Sequence, residues 1–431
     1  MSSVLPLLAT LGGFASVAIA ADSVPTDFET HLPQTSAKCV SPSTDAPSVL
    51  APTLVATGEF WSNQHGGAQT GERWNTLVNL GLTVDLEKLG APHGSQLVGQ
   101  VFWVKNQNEE TDMSALTGAF NPVSGFHAGD QLRVFDLYYR QSWNNDAYVV
   151  KFGQLAIDCD FMGSDYAALF ANSSFGAMPS QVATPLAATA GNTPAFPVYA
   201  VASPGIYFAA RVNDSFSWQL GFYHGGPGPD EKKNHGFDWE RGTTAGPVAF
   251  IETAFTGKLA GHASTVRIGG DYHSGKFDDF SALNEGETDA TVRGLYSFYV
   301  GHDFVFSADA KDKPVFAAFW RAGLSPQQDR SVVRTYTDAG FNWFGPIASR
   351  PDDVAGVAVS CTEFGREYRT YSGVDVLARH ETTVELTYRA QLTSHWALQA
   401  DLQLLGHPAD EAATNNHATA TVVGLRTELS F

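Results

Sequence analysis

Apolar and polar residues alternate one for one along most of the chain. In Leu77–Leu86, Val78, Leu80, Leu82, Val84 and Leu86 fall on one face, and Asn79, Gly81, Thr83 and Asp85 on the other. Phe135, Leu137 and Tyr139 likewise oppose Asp136, Tyr138 and Arg140, and Val423, Leu425, Leu429 and Phe431 oppose Gly424, Arg426, Glu428 and Ser430. A period of two is that of a β-strand whose faces meet different surroundings. Sixteen such runs are predicted, over 53–61, 75–86, 95–104, 132–143, 147–155, 205–212, 216–224, 247–256, 264–273, 291–300, 314–324, 334–344, 353–363, 381–392, 395–405 and 418–431. No helical period of comparable strength accompanies them.

The connections between runs alternate in length. Asn144-Asn145-Asp146, Asn213-Asp214-Ser215 and Thr393-Ser394 are tight, whereas 105–131, 156–204 and 225–246 are long. An even number of strands with alternately short and long connections predicts an all-β, closed antiparallel barrel of the outer-membrane type, with short periplasmic turns and long external loops. The stretch 301–313 is too long for its place in that rhythm, which points to a strand end nearby that the alternation does not mark. A soluble sandwich would also give period two. Strand lengths near the ~9–11 residues that cross hydrocarbon, aromatic residues near strand ends (Trp143, Phe255, Trp343, Trp396) and the aromatic terminus Phe431 favour the barrel.

The N-terminus changes the picture. VLPLLATLGGFASVAIA closes on Ala18-Ile19-Ala20, the apolar region and small-residue site of a secretory signal peptide over 1–20, although no Lys or Arg precedes it. Residues 21–52, rich in Pro, Ser and Thr, are expected to form a flexible periplasmic lead-in, which leaves 53–431 as the barrel domain. The 26 Lys and Arg against 45 Asp and Glu give a net charge of −19, which argues against nucleic acid as a partner. Cys39, Cys159 and Cys361 have no metal-ligand spacing; the odd count leaves at least one unpaired within the chain, pairing of the others stays open, and small buried or surface side chains are the simpler expectation than redox groups.

Several separated segments, in one order, resemble the carbohydrate-selective porin (OprB) family of Gram-negative outer membranes. They are RWNTLVNLGLTVDLEKLG (73–90), KFGQLAIDCDFMGSDYAALFANSSFG (151–176), YAVASPGIYFAARV (199–212), HGFDW (235–239), SRPDDVAGVAVS (349–360), VELTYRAQLTSHWALQADLQLLGHP (384–408) and the closing VVGLRTELSF. Cys159 departs from the family by standing where an acidic or other polar residue is expected. The resemblance implies a sixteen-stranded barrel that passes glucose or other small sugars passively.

Alternation places Arg73, Asp136, Tyr138, Arg140, Arg211, Arg267, Asp271, Arg293, Arg321, Glu385 and Arg389 on the inward face as candidate pore-lining residues. Both signs are present, which suits a neutral, hydroxyl-rich solute better than an ion. For any one of them the simpler reading is pairing across neighbouring strands. The start of the 156–204 connection is too apolar for a solvated tip, since Phe161, Met162, Tyr166, Leu169, Phe170 and Phe175 need burial. It is expected, by analogy with general porins, to be a third external loop folded into the lumen. Asp158, Asp160, Asp165, Tyr166 and Asn172 would then line the narrowest part. No nucleophile elbow, HExxH or grouped histidines indicate an enzyme, a metal or a cofactor. The alternatives are a porin for other small polar solutes, a barrel hydrolase and a soluble secreted β-sandwich binding protein. Outward Phe431 is expected to serve as the signal that barrel-assembly machinery reads. Nothing in the sequence fixes the oligomeric state.

Overall fold

The computed structural model describes residue 39 and residues 48–107, 113–126, 128–183, 195–228, 232–240, 245–372, 378–408 and 419–431. The signal-peptide region 1–20 lies outside the described residues, as does most of the lead-in.

The strands are β1 (Leu50–His65), β2 (Gly71–Asp85), β3 (Ser95–Asn106), β4 (Gln131–Trp143), β5 (Tyr148–Leu155), β6 (Ser203–Asn213), β7 (Phe216–His224) and β8 (Pro247–Leu259). They continue as β9 (His262–Asp278), β10 (Thr291–Ala308), β11 (Pro314–Leu324), β12 (Val333–Phe344), β13 (Val354–Phe364), β14 (His380–Thr393), β15 (Trp396–Gly406) and β16 (Ala420–Ser430). Each pairs antiparallel with its sequence neighbours, and β1 pairs with β16, so the sheet is a closed barrel. Closure matters because a strand wall in lipid has no water to satisfy an open edge. At the seam, Glu59 stands opposite Arg426 and Val55 opposite Ser430. The last bonds are made by Phe431, whose N–H and C=O each bond Leu54 at 2.9 Å.

Short turns collect at one end of the barrel and long connections at the other. β10 runs on to Ala308, so its turn to β11 is the short 309–313; the rhythm breaks at β1–β2, joined on the long-loop side by only 66–70, and at 86–94 and 345–353 on the other. Gly301, His302 and Asp303, with register shifts between Val305 and Ala308, hid that extension from the alternation. In the turn itself, the Asp309 carboxylate accepts the N–H groups of Lys311 and Lys313 at 2.8 and 3.0 Å, which holds its carboxyl below the usual range.

The outer wall is apolar and exposed: Leu80, Ile251, Ile268, Phe298, Leu386 and Leu425 all project from it. Near the short turns it becomes aromatic, with Trp143, Tyr148, Phe255, Phe306, Trp343 and Trp396 exposed. A girdle of this kind sits where a barrel wall passes from hydrocarbon to headgroups.

The inner face differs from the sequence expectation in one respect: it is polar only in part. Val98, Phe102, Phe250, Tyr299 and Ala358 are buried inward wall residues, packed under segments that fold inside. At β4 a register shift against Gly99 and Val101 makes Phe135 and Asp136 consecutive buried residues. This bulge turns Phe135 inward against Phe102 and Tyr199, contrary to strict alternation.

Candidate functional site: a channel occupied by its own loops

Residues 156–183 leave β5 and cross the barrel interior. Their apolar side chains find partners on the inner wall. Phe161, Met162 and Met178 cluster with Tyr138, Tyr207, Tyr223, Phe250 and Tyr299. Tyr166, Leu169, Phe170 and Phe175 cluster with Val305, Phe319, Val354 and Ala358. Gly356 of β13 makes this close approach possible, because a Cβ there would stand 2.7 Å from the Leu169 side chain.

Burying such a segment also buries its N–H and C=O groups, which must be paired. Wall carboxylates take the N–H groups. Glu385 accepts from Ala171 at 2.6 Å and Asn172 at 2.9 Å. Glu252 accepts from Met162 at 3.1 Å, and Asp303 from Asp165 at 3.1 Å. A wall arginine takes the carbonyls. Arg321 donates to Met162 O at 3.0 Å and to Phe175 O and Gly176 O at 2.8 Å. It also pairs with Asp338, its register partner on β12, at 2.5 Å. Asn342 adds a bond to Tyr166 O at 2.9 Å.

A second inserted segment was not anticipated from the sequence. Residues 113–126 also lie inside, where Glu381 accepts the N–H groups of Phe120 at 2.6 Å and Asn121 at 2.9 Å. The two segments meet where Gly125 N–H bonds Ala171 O at 2.8 Å. The signal that finds it is the one used for 161–175: Met113, Leu116, Phe120, Val123 and Phe126 are too apolar for a solvated loop.

These contacts sort the candidate residues. Arg321, Glu385 and Asn172 are at most 2% exposed and are occupied in holding the loop against the wall. Tyr166 is buried against Phe344. Asp158 turns to the loop's returning limb and accepts the Tyr199 N–H at 3.1 Å. Arg389 pairs with Glu428 at 3.0 Å, and Asp271 takes the Ser297 hydroxyl. Asp136 is buried beside Cys159. Arg73 is half-buried at the long-loop end of β2. Arg140, bound to Asp146 at 2.8 Å, and the exposed Arg211, bound to Asn145 O at 3.0 Å, stand at the short-turn mouth. Arg293 corrects the alternation. A register shift between Arg293 and Leu295 places Val292, not Arg293, opposite the inward Phe277. Arg293 is exposed at the long-loop end and donates to Ser274 O.

Three candidates, Asp160, Asp165 and Arg267, line a cavity between the loop and the wall, and Tyr138 stands behind Asp160 through Lys151. Lys151 lies under the Tyr138 and Tyr207 rings, 5.4 and 4.8 Å from their centroids, and pairs with Asp160 at 2.5 Å. Arg267 lies between Asp303, at 2.6 Å, and the loop residue Asp165, at 3.8 Å. Asp160, Gly163 and Asp165 of the loop face Ser217, Gln219, Glu252, Thr256, Thr265 and Arg267 of β7–β9 across a cavity of about 420 Å³. Its lining offers hydroxyl, amide, carboxylate and guanidinium groups side by side.

The model of the carbohydrate-selective porin (OprB) family matches residues 75–431. The chain belongs to that family. Its barrel superposes on the high-pH structure of Pseudomonas putida OprB with a TM-score of 0.75, at 21% identity, covering 89% of this chain and 94% of that one. The low-pH structure of the same protein gives a TM-score of 0.52 at 16% identity over 89% and 92% of the two chains. The outer membrane channel DcaP of Acinetobacter baumannii gives 0.50 at 11% identity over 89% and 97%. At these identities the structures establish the fold. No curated protein sequence matches the chain. Family and fold together make it an outer-membrane channel for passive diffusion of carbohydrates, and a channel rather than an enzyme.

Proposed function

We propose that the channel passes small neutral monosaccharides such as glucose down their gradient, through the cavity between the 156–183 loop and β7–β9. The observation that carries this is the lining itself. Carboxylates accept from sugar hydroxyls and Arg267 donates to them, and the lining mixes both signs, with Arg267 among Asp160, Asp165 and Glu252, rather than forming a ring of one sign. Asp160, Asp165 and Arg267 are the residues we assign to the solute path, with Lys151 and Tyr138 supporting Asp160. Arg321, Glu385 and Asn172 act one step back, by fixing the loop.

The same reading places the long-loop end outside the cell, the apolar wall in outer-membrane lipid, and residues 1–20 as the export signal. Phe431 is assigned as the assembly signal. The residue is 66% exposed while its backbone completes the seam. The Cys39–Cys159 disulfide supports export, because such bonds persist in oxidising compartments. Swelling of protein-loaded liposomes tests the solute assignment: glucose is expected to enter faster than charged solutes of similar size. Equal rates would favour a general porin for small polar solutes.

A further inference from the structure

Cys39 and Cys159 are joined across 120 residues of sequence, with their Cα atoms 5.6 Å apart. The position of this bond in the channel is informative. Cys159 ends the single turn Ile157–Cys159 with which the constricting loop begins. It packs among Phe102, Phe135, Ala156 and Tyr199 on the inner face. Asp160, the next residue, lines the cavity. The other end belongs to the stretch that precedes β1. That strand starts at the short-turn rim, where Asp85 N–H bonds Val49 O at 2.8 Å.

The start of the loop is held both by the loop itself and by the near wall, where Asp160 pairs with Lys151 at 2.5 Å and its carbonyl accepts from Gln219 Nε2 at 2.5 Å. Ile157 N–H bonds Pro197 O at 2.7 Å, and Asp158 accepts the Tyr199 N–H; both partners lie on the returning limb. The anchors to the far wall act further on, from Met162 to Gly176. We propose that the Cys39–Cys159 disulfide is a covalent stay that fixes the first turn of the constricting loop, so that channel conductance depends on the redox state of this bond. Reduction by an added phosphine or dithiol breaks one S–S bond. The two electrons come from the reductant, and two protons complete the thiols. Cys39 and Cys159 then separate, and the first turn keeps only its bonds to the returning limb and the ties of Asp160 to Lys151 and Gln219. The proposal concerns loop position and is independent of which solute passes.

The test is single-channel conductance of the assembled native protein in planar bilayers, before and after a water-soluble phosphine, with reduction verified by thiol labelling and mass. Conductance and open-channel noise are expected to rise on reduction. C39S and C159S are expected to show the raised level from the start and not to respond to reductant. C361S is the control, since Cys361 is unpaired on β13, and it is expected to respond as the native channel does. Unchanged conductance after verified reduction overturns the proposal, as does labelling of Cys39 in the unreduced channel. If C159S fails to assemble, reduction of the native channel still decides the matter.

Discussion

Arg321 shows what an inward charge does in this barrel. It is fully buried, pairs with Asp338, and donates to carbonyls of the loop. Alternation located it on the inner face but not its task, because parity fixes which way a side chain points and says nothing of what covers it. The same holds for Glu385, which alternation also placed inward and which accepts two loop N–H groups. Removing one member of a buried pair strands the other, at a cost of about 3–5 kcal/mol. Arg321→Ala also leaves three loop carbonyls without their donor. The expected outcome is a barrel that still folds, loses its folded gel mobility at a lower temperature, and conducts more with greater noise in planar bilayers. Native conductance in Arg321→Ala would show that the loop is held without it.

At the scale of elements, the strands were legible and the interior segments only partly so. Period two, tight turns and strand length gave sixteen strands, most within a few residues of those observed, although β9 and β10 run on to Asp278 and Ala308, well past their expected ends at 273 and 300. The misses have local causes. The Phe135–Asp136 bulge and the shift beside Arg293 each reverse parity for a residue or two. Segment 113–126 escaped notice because its apolar residues are spaced without period. Loop 156–183 stood out through its density of aromatics. Its two clusters and its polar anchors hold it inside the barrel, where we propose that it sets the bore. Deleting 160–175 removes the cavity's loop wall, so single-channel conductance is expected to rise and discrimination between sugars to fall. Unchanged conductance would mean that another element, with 113–126 the first candidate, forms the constriction.

For the whole molecule, closure and cargo are separate matters. The seam ends at Phe431, whose two backbone bonds to Leu54 and ring stack on His395 at 5.2 Å secure the last register. Deleting Phe431 is expected to lower the yield of heat-modifiable barrels far more than it alters conductance of those that assemble; an undiminished yield would remove its role as a signal. The net charge of −19 does not describe the channel interior. There, Arg321–Asp338, Arg426–Glu59, Arg389–Glu428 and Arg267–Asp303 pair within the barrel. The interior carries paired charges and loop-bound carboxylates, and we propose that this mixed hydrogen-bonding surface is what favours a neutral solute. Liposome swelling with isosmotic glucose, other monosaccharides, and anionic and cationic solutes of matched size tests it most directly. Fast entry of the neutral sugars and slower entry of both charged classes are expected. Equal rates for all, or a preference for one sign of charge, would contradict it.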